Sequence, residues 1–284
     1  MTDIRRVTVL GTGVLGAQIA FQSAYSGFEV TAYDIDDAAL ERARATFDSL
    51  VETYVAEVDG AADGAAEAAR DRLTLTSDLA VAAQEADLII EAVPEVLELK
   101  RETFARLNSL APETTIFATN SSSLLPSAIA DATGRPDRFL ALHFANRIWS
   151  SNTAEVMGTP ATAQAVFDTV VEFAGEIGMV AIPIHKEKAG YVLNSLLIPF
   201  LNAGVELAAD GYASPQDVDK VWRIGTGSAM GPFQILDIVG LNTPYNIMSA
   251  GDERDRDFAA WIKENYLDQG RTGIAAGKGF YDYD

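Results

Sequence analysis

The sequence predicts an α/β protein: a doubly wound parallel sheet over residues 1–186, followed by an all-α segment over 187–284. Three observations predict it. Short apolar or β-branched runs alternate with helical patterns up to about residue 186, the order that builds a parallel sheet with helices on both faces. The run Val7-Thr8-Val9-Leu10 breaks into Gly11-Thr12-Gly13-Val14-Leu15-Gly16 and then enters an apolar helical pattern. No convincing strand follows residue 186.

The glycine turn sets the frame. A Gly-x-Gly-x-x-Gly pattern gains meaning only between a strand and a helix, and that context is present. Gly11 serves the tight turn, Gly13 lets the backbone approach a pyrophosphate, and Gly16 lets helix and strand pack closely. The helix start at Val14 and Leu15 turns free N–H groups and a positive dipole end toward phosphate. The expected architecture is therefore a Rossmann-type dinucleotide site.

The second strand, Glu29-Val30-Thr31-Ala32-Tyr33, ends at Asp34, 21 residues after Gly13. An acid at that distance takes the ribose hydroxyls and repels a 2′-phosphate, so NAD is expected over NADP. Residues 36–72 read as long charged helices broken near Asp59-Gly60 and Asp63-Gly64, with ten acids, four arginines and no lysine. Further strands are expected at 72–76, 87–93, 114–119, 138–144, 154–157 and 179–184, with helices opening at Pro94-Glu95 and near 161–177. Ligands in such sheets sit beyond the carboxyl ends of strands, where Asn120-Ser121-Ser122-Ser123 and His143 fall. In the second segment, helices are expected from Tyr191 despite Pro199, from Ser214-Pro215, and at about 232–249 and 254–268.

Composition bounds the rest. A 284-residue chain with 48% apolar residues can bury a sizeable core. The absence of cysteine excludes disulfides and thiolate chemistry. A formal charge of −20 argues against nucleic acid, whose phosphates are bound by lysine and arginine clusters. No apolar run approaches the length of a membrane span, so a cytoplasmic protein is expected.

The sequence has two histidines. His185 sits in a polar linker and reads as a surface residue. His143 follows a buried strand, and Glu155 arrives 12 residues later on the next one. A histidine paired with a carboxylate can take a hydroxyl proton while hydride leaves carbon, although a structural histidine explains the spacing equally well.

Several motifs in order resemble the L-3-hydroxyacyl-CoA dehydrogenase family, including its bacterial 3-hydroxybutyryl-CoA members. They are the glycine turn, Glu91-Ala92-Val93-Pro94-Glu95, Asn120-Ser121-Ser122-Ser123-Leu124, Leu142-His143-Phe144-Ala145-Asn146, Gly190-Tyr191-Val192-Leu193-Asn194, Met230-Gly231-Pro232-Phe233 and Gly279-Phe280-Tyr281. The resemblance implies reversible oxidation of a short L-3-hydroxyacyl-CoA, with His143 as base and Glu155 orienting it. It implies Ser122 and Asn194 as hydrogen-bonding groups around the substrate oxygens. It implies Asp34, Glu95, Lys100, Ser122 and Asn146 at NAD, and a homodimer through the helical domain. The chain departs from the family at Ala145 and Arg147, where Phe and Pro are usual, and at Tyr191, where Phe is usual. Ala275 replaces a lysine that reaches the cofactor, and the lysine-poor acidic stretch 36–72 falls where the family binds CoA. A dehydrogenase of a free 3-hydroxy acid, such as a sugar acid or carnitine, is therefore the alternative expectation. A non-catalytic NAD-binding protein is a third.

Overall fold

A computed structural model describes residues 1–283, leaving position 284, the end of the expected helical segment, outside the described residues. The chain forms two compact units that meet in sequence between Val192 and Leu193.

The first unit holds an eight-stranded sheet. Its elements run β1 (Arg6–Leu10), α1 (Val14–Tyr25), β2 (Glu29–Tyr33), α2 (Asp37–Glu57), α3 (Ala65–Asp71), β3 (Leu73–Thr76), α4 (Leu79–Ala83) and β4 (Leu88–Glu91). They continue with α5 (Leu97–Asn108), β5 (Ile116–Thr119), α6 (Ser127–Ala130), β6 (Phe139–Phe144), β7 (Thr153–Gly158), α7 (Gln164–Glu176) and β8 (Val180–Ile184). The strand order is β3-β2-β1-β4-β5-β6-β7-β8, so the chain switches direction of travel between β1 and β4.

Strands β4, β5 and β6 are buried at every residue, as parallel strands covered on both faces should be. Side chains alternate across the sheet. Val7, Val9, Leu88, Ile90, Leu140 and Leu142 face the core with α1, α2 and α7. Leu10, Ile89, Phe117 and Phe139 face the one with α4, α5 and α6. Edge strand β8 carries Pro183, a residue that an edge tolerates because it lacks an N–H to donate.

The expected parallel sheet holds with one refinement. β7 pairs antiparallel with β6 and parallel with β8, so the last two strands run against the other six. The β6–β7 connection is a short turn from Ala145 to Asn152 rather than a helical crossover, and only an antiparallel pair can be joined so briefly.

The second unit comprises α8 (Leu193–Ala209), α9 (Pro215–Thr226), α10 (Pro232–Val239), α11 (Asn242–Ser249) and α12 (Glu253–Asn265). Ser214 caps α9 by accepting from the Asp217 N–H. Leu201, Val205, Phe233, Leu236, Ile262 and Phe280 form its core. Gly204 permits a close approach of α8 and α10 there, since a Cβ would lie 2.7 Å from the Pro232 ring. The single helix expected over 232–249 is two helices. Gly240, at φ 85°, ends α10, and Leu241 turns its N–H to the Thr272 carbonyl. The helix expected from Tyr191 begins at Leu193, because Tyr191 has a left-handed φ of 53°. Among the described residues no helix is long and apolar enough to cross a membrane.

Candidate active site

The glycine turn lies at the carboxyl end of β1, against β4. Gly11, at φ 90°, donates its N–H to the Tyr33 carbonyl, and a Cβ on it would meet the Ala92 carbonyl oxygen at 2.7 Å. A Cβ on Gly16 would lie 1.9 Å from the Gly11 carbonyl oxygen. Gly13 differs: a Cβ there would meet no protein atom within 4 Å. Its lack of a side chain leaves open space above the start of α1. That helix has no side-chain cap and no acid in its first turn, so its N–H groups at Val14 and Leu15 are left for an anion. The residues present fit a dinucleotide.

Asp34 sits beside this turn. Its Oδ2 accepts from the Thr12 N–H at 2.8 Å and the Thr12 hydroxyl at 2.6 Å, and its Oδ1 from the Ile35 N–H. Burial pushes the carboxyl up, but these three donors and the nearby Arg42 outweigh it and hold Asp34 below the ordinary aspartate range. Thr12 was not singled out by the sequence. The hydroxyl inside the glycine pattern is the signal that could have found it.

The second cluster spans the ends of β4 to β7. His143 and Glu155 are direct cross-strand partners in the antiparallel β6–β7 ladder, so their side chains share a face. His143 Nδ1 lies 2.9 Å from Glu155 Oε2, and His143 Nε2 lies 3.1 Å from Ser122 Oγ. Both partners of the dyad are buried. The carboxylate places the ring proton on Nδ1, leaving the Nε2 lone pair turned to the exposed side, where Ser122 meets it. Glu155 Oε1 accepts from the Val192 N–H at 2.8 Å.

Glu95 holds the serine turn. Its Oε1 accepts from the Ser121 hydroxyl, the Ser122 N–H, the Ser123 N–H and the Ser123 hydroxyl at 2.5–3.1 Å, and its Oε2 pairs with Lys100 at 3.2 Å. Burial pushes this carboxyl up, but the donors and the Lys100 charge hold it down at about 2. Lys100, 1% exposed, also reaches Glu91 Oε1 at 2.6 Å and the Val93 carbonyl at 3.1 Å, so each of its three protons has an acceptor. Burial pushes the Glu91 carboxyl up, against the pull of Lys100, Thr119 and the Val93 N–H.

The structure thus brings together His143, Glu155, Ser122, Glu95 and Lys100, and separately Gly11, Gly13, Val14, Leu15, Gly16 and Asp34. With strands about 4.8 Å apart, the His143 strand lies three spacings, roughly 14 Å, from the glycine turn across the same sheet edge. Asn146 is exposed just past β6. Asn194 is the second residue of α8, in the other unit. His185 is exposed in the segment after β8, as expected for a surface residue. Among the described residues no group of acids and histidines could hold a metal ion.

The arginines of the acidic stretch can also be placed. Arg44 faces Glu41, Arg70 binds Asp48 and Asp71, and Arg72 donates to the Ala24 carbonyl. At the end of α2, Glu57 takes both the Arg147 guanidinium and the Trp149 indole N–H at 2.8 Å, which holds its carboxyl below the ordinary range.

The model of the 3-hydroxyacyl-CoA dehydrogenase NAD-binding domain matches residues 6–188, and that of the 3-hydroxyacyl-CoA dehydrogenase C-terminal domain matches residues 190–283. The mitochondrial hydroxyacyl-coenzyme A dehydrogenase of Rattus norvegicus is 36% identical over 99% of this chain and 91% of its own length. The 3-hydroxybutyryl-CoA dehydrogenase of Clostridioides difficile is 32% identical over 98% of this chain and 99% of its own. A solved diketoreductase, described by its substrate-directed dual catalysis of dicarbonyl compounds, is 60% identical, covers 100% of both chains and superimposes with a TM-score of 0.97. The chain belongs to the 3-hydroxyacyl-CoA dehydrogenase family, NAD-dependent enzymes acting on a CH–OH group.

Proposed function

We propose that this enzyme interconverts an L-3-hydroxyacyl thioester of CoA, of short chain, and its 3-oxo form, with His143 as the base. The single observation that carries the reading is the Ser122–His143–Glu155 chain, in which a carboxylate fixes Nδ1 and leaves Nε2 to accept a proton. In the oxidative direction His143 Nε2 takes the hydroxyl proton as the carbon–hydrogen bond breaks, and Glu155 stabilises the imidazolium. Bound NAD supplies the hydride acceptor. Ser122 donates to a substrate oxygen. The Gly11–Gly16 turn and Asp34 hold the dinucleotide, with Glu95, Lys100 and Asn146 shaping its nicotinamide end. Comparable catalytic efficiency with NADP would overturn the Asp34 assignment.

A second reading rests on its own observations. The diketoreductase relative acts on dicarbonyl compounds, and α2 and α3 carry no lysine, while two of their three arginines, Arg44 and Arg70, face carboxylates and the third, Arg42, lies near Asp34. The phosphates of CoA would meet Coulomb repulsion there. In this reading the same His143 chemistry reduces a compact dicarbonyl that carries no CoA. NADH oxidation with acetoacetyl-CoA, ethyl acetoacetate and 2,4-pentanedione, and NAD reduction with free 3-hydroxy acids, separate the two. Turnover of acetoacetyl-CoA well above the others supports the thioester; turnover of the CoA-free compounds with none of acetoacetyl-CoA sinks it.

The proposed assembly is a homodimer through the helical unit, where Leu196 on α8 and Val221 and Ile224 on α9 are exposed apolar side chains. Light scattering over a range of concentrations tests it. The proposed compartment is the cytoplasm, which the cysteine-free composition suits.

A further inference from the structure

The turn that closes the first unit reaches His143, Glu155 and the residue before Ser122 in the proposed catalytic chain. Its centre is Tyr191, whose φ of 53° follows a Gly190 φ of 79°. A left-handed backbone under a bulky side chain costs about 1–2 kcal/mol, so the surrounding structure must over-determine it. Tyr191 is 1% exposed and packs on Ala141 and Met157, which flank His143 and Glu155 on the same face of β6 and β7.

Three contacts converge from this turn. The Tyr191 ring stacks on the His143 imidazole, with centroids 4.4 Å apart and planes inclined by 16°. The Tyr191 hydroxyl donates to the Ser121 carbonyl at 2.6 Å, directly before the serine that meets His143 Nε2. The next residue, Val192, donates its N–H to Glu155 Oε1 at 2.8 Å. Burial, with Glu95 and Glu155 nearby, pushes the phenol above the ordinary tyrosine range, so it remains a donor. The phenol face attracts the imidazolium that forms on proton uptake. The hydroxyl ties that ring to the serine turn, a link that the phenylalanine usual in the family cannot make.

We propose that Tyr191 is a positioning residue for the reaction: its ring fixes the plane of the His143 imidazole, and its hydroxyl fixes the Ser121–Ser123 turn so that Ser122 and Nε2 face the same substrate oxygen. The inference rests on His143 being the base. Its test is a double-mutant cycle of Tyr191→Leu and His143→Ala, with Tyr191→Phe as the conservative variant, on the intact protein. The readouts are kcat with acetoacetyl-CoA or 2,4-pentanedione, whichever the wild type turns over, and NADH affinity by fluorescence.

Tyr191→Phe keeps the stack and removes one hydrogen bond, so kcat falls about three- to tenfold. Tyr191→Leu loses both and falls roughly thirty- to a hundredfold, with Phe restoring most of the loss, while NADH affinity stays within about twofold in both variants. In the His143→Ala background Tyr191→Leu changes kcat by less than about twofold. The proposal is overturned if Tyr191→Leu multiplies the His143→Ala defect in full, or if the losses in kcat follow a loss of NADH binding. Should Tyr191→Leu not fold, a Tyr191→Phe enzyme at wild-type kcat overturns the hydroxyl link by itself. Full activity of His143→Ala removes the base assignment instead, and that outcome is visible apart from any Tyr191 result.

Discussion

His143 and Glu155 stand opposite each other on neighbouring strands, 2.9 Å apart, because β7 runs against β6. A parallel β7 would need a long crossover and would carry Glu155 to an unrelated register. The reversal of one strand makes the dyad a cross-strand pair, held by the ladder itself rather than by a loop.

Removing either member should therefore slow turnover sharply without disturbing the cofactor turn. His143→Ala lowers kcat about a hundredfold or more, and Glu155→Gln by a similar factor, because the amide cannot stabilise an imidazolium. NADH titration should give wild-type affinity for both variants. Full activity in either one shows that the proton goes elsewhere.

The glycines of the turn separate into two kinds by what surrounds them. Gly16→Ala drives a Cβ to 1.9 Å from the Gly11 carbonyl oxygen, so the variant should lose about 3 kcal/mol or more of stability in urea titrations. Gly13→Ala meets no protein atom within 4 Å, so its melting temperature should stay near wild type. Its NADH affinity should still fall, since the methyl fills the space left for phosphate. Equal stability losses in the two would contradict that division.

Glu95 gives the fold an acid sensitivity with a definite sign. Its carboxyl titrates at about 2 in the folded chain against an ordinary 4.5, so on acidification the unfolded chain takes up the proton first. The stabilisation is complete above about pH 4.5 and disappears as pH falls toward 2. Glu95→Gln lacks this titration, so its stability should fall less steeply than that of wild type between pH 5 and 3. Parallel slopes would show that the carboxylate does not hold the serine turn.

In the helical unit, buried Asp237 accepts from the Phe280 N–H, the Tyr281 N–H and the Tyr283 hydroxyl at 2.7–3.0 Å. Asp237→Asn turns an acceptor oxygen into a donor facing donors, so it should cost about 1–3 kcal/mol of unfolding free energy by urea. Hydrogen exchange at 280–283 should accelerate before that of α8. An unchanged urea midpoint would mean the clasp contributes nothing to stability.

Much of this was legible in the sequence because it depends on local chemistry. The Gly11–Gly16 turn needs small residues at fixed offsets, Asp34 ends a recognisable strand, and β4 to β6 are apolar at nearly every position. The periodicity of β7 is the same whichever way it runs; only the nine-residue gap between the expected strands 138–144 and 154–157, too short for a parallel crossover, carries its direction. The split at Gly240 escaped for a related reason: the apolar pattern continues across it, while the carbonyl that draws Leu241 aside comes from Thr272. Glu95 stood out only through its motif. Its hold on the serine turn needs two loops from different strand ends to meet, which no spacing records. Tyr191 is a departure from the family that the sequence shows, but the single oxygen it adds acquires a purpose only when the Ser121 carbonyl accepts from it.

The clasp around Asp237 has a further consequence, in the order of synthesis. Asp219 accepts from the Phe233 and Gln234 N–H groups and the Tyr281 hydroxyl, and Asp237 from Phe280, Tyr281 and Tyr283, so the helical unit buries two carboxylates satisfied in part by residues 280–283. Until residues 280–283 leave the ribosome, closing the core around Phe233 and Leu236 would bury charge short of donors. The first unit can fold before residues 280–283 are made, whereas the helices wait for them to emerge.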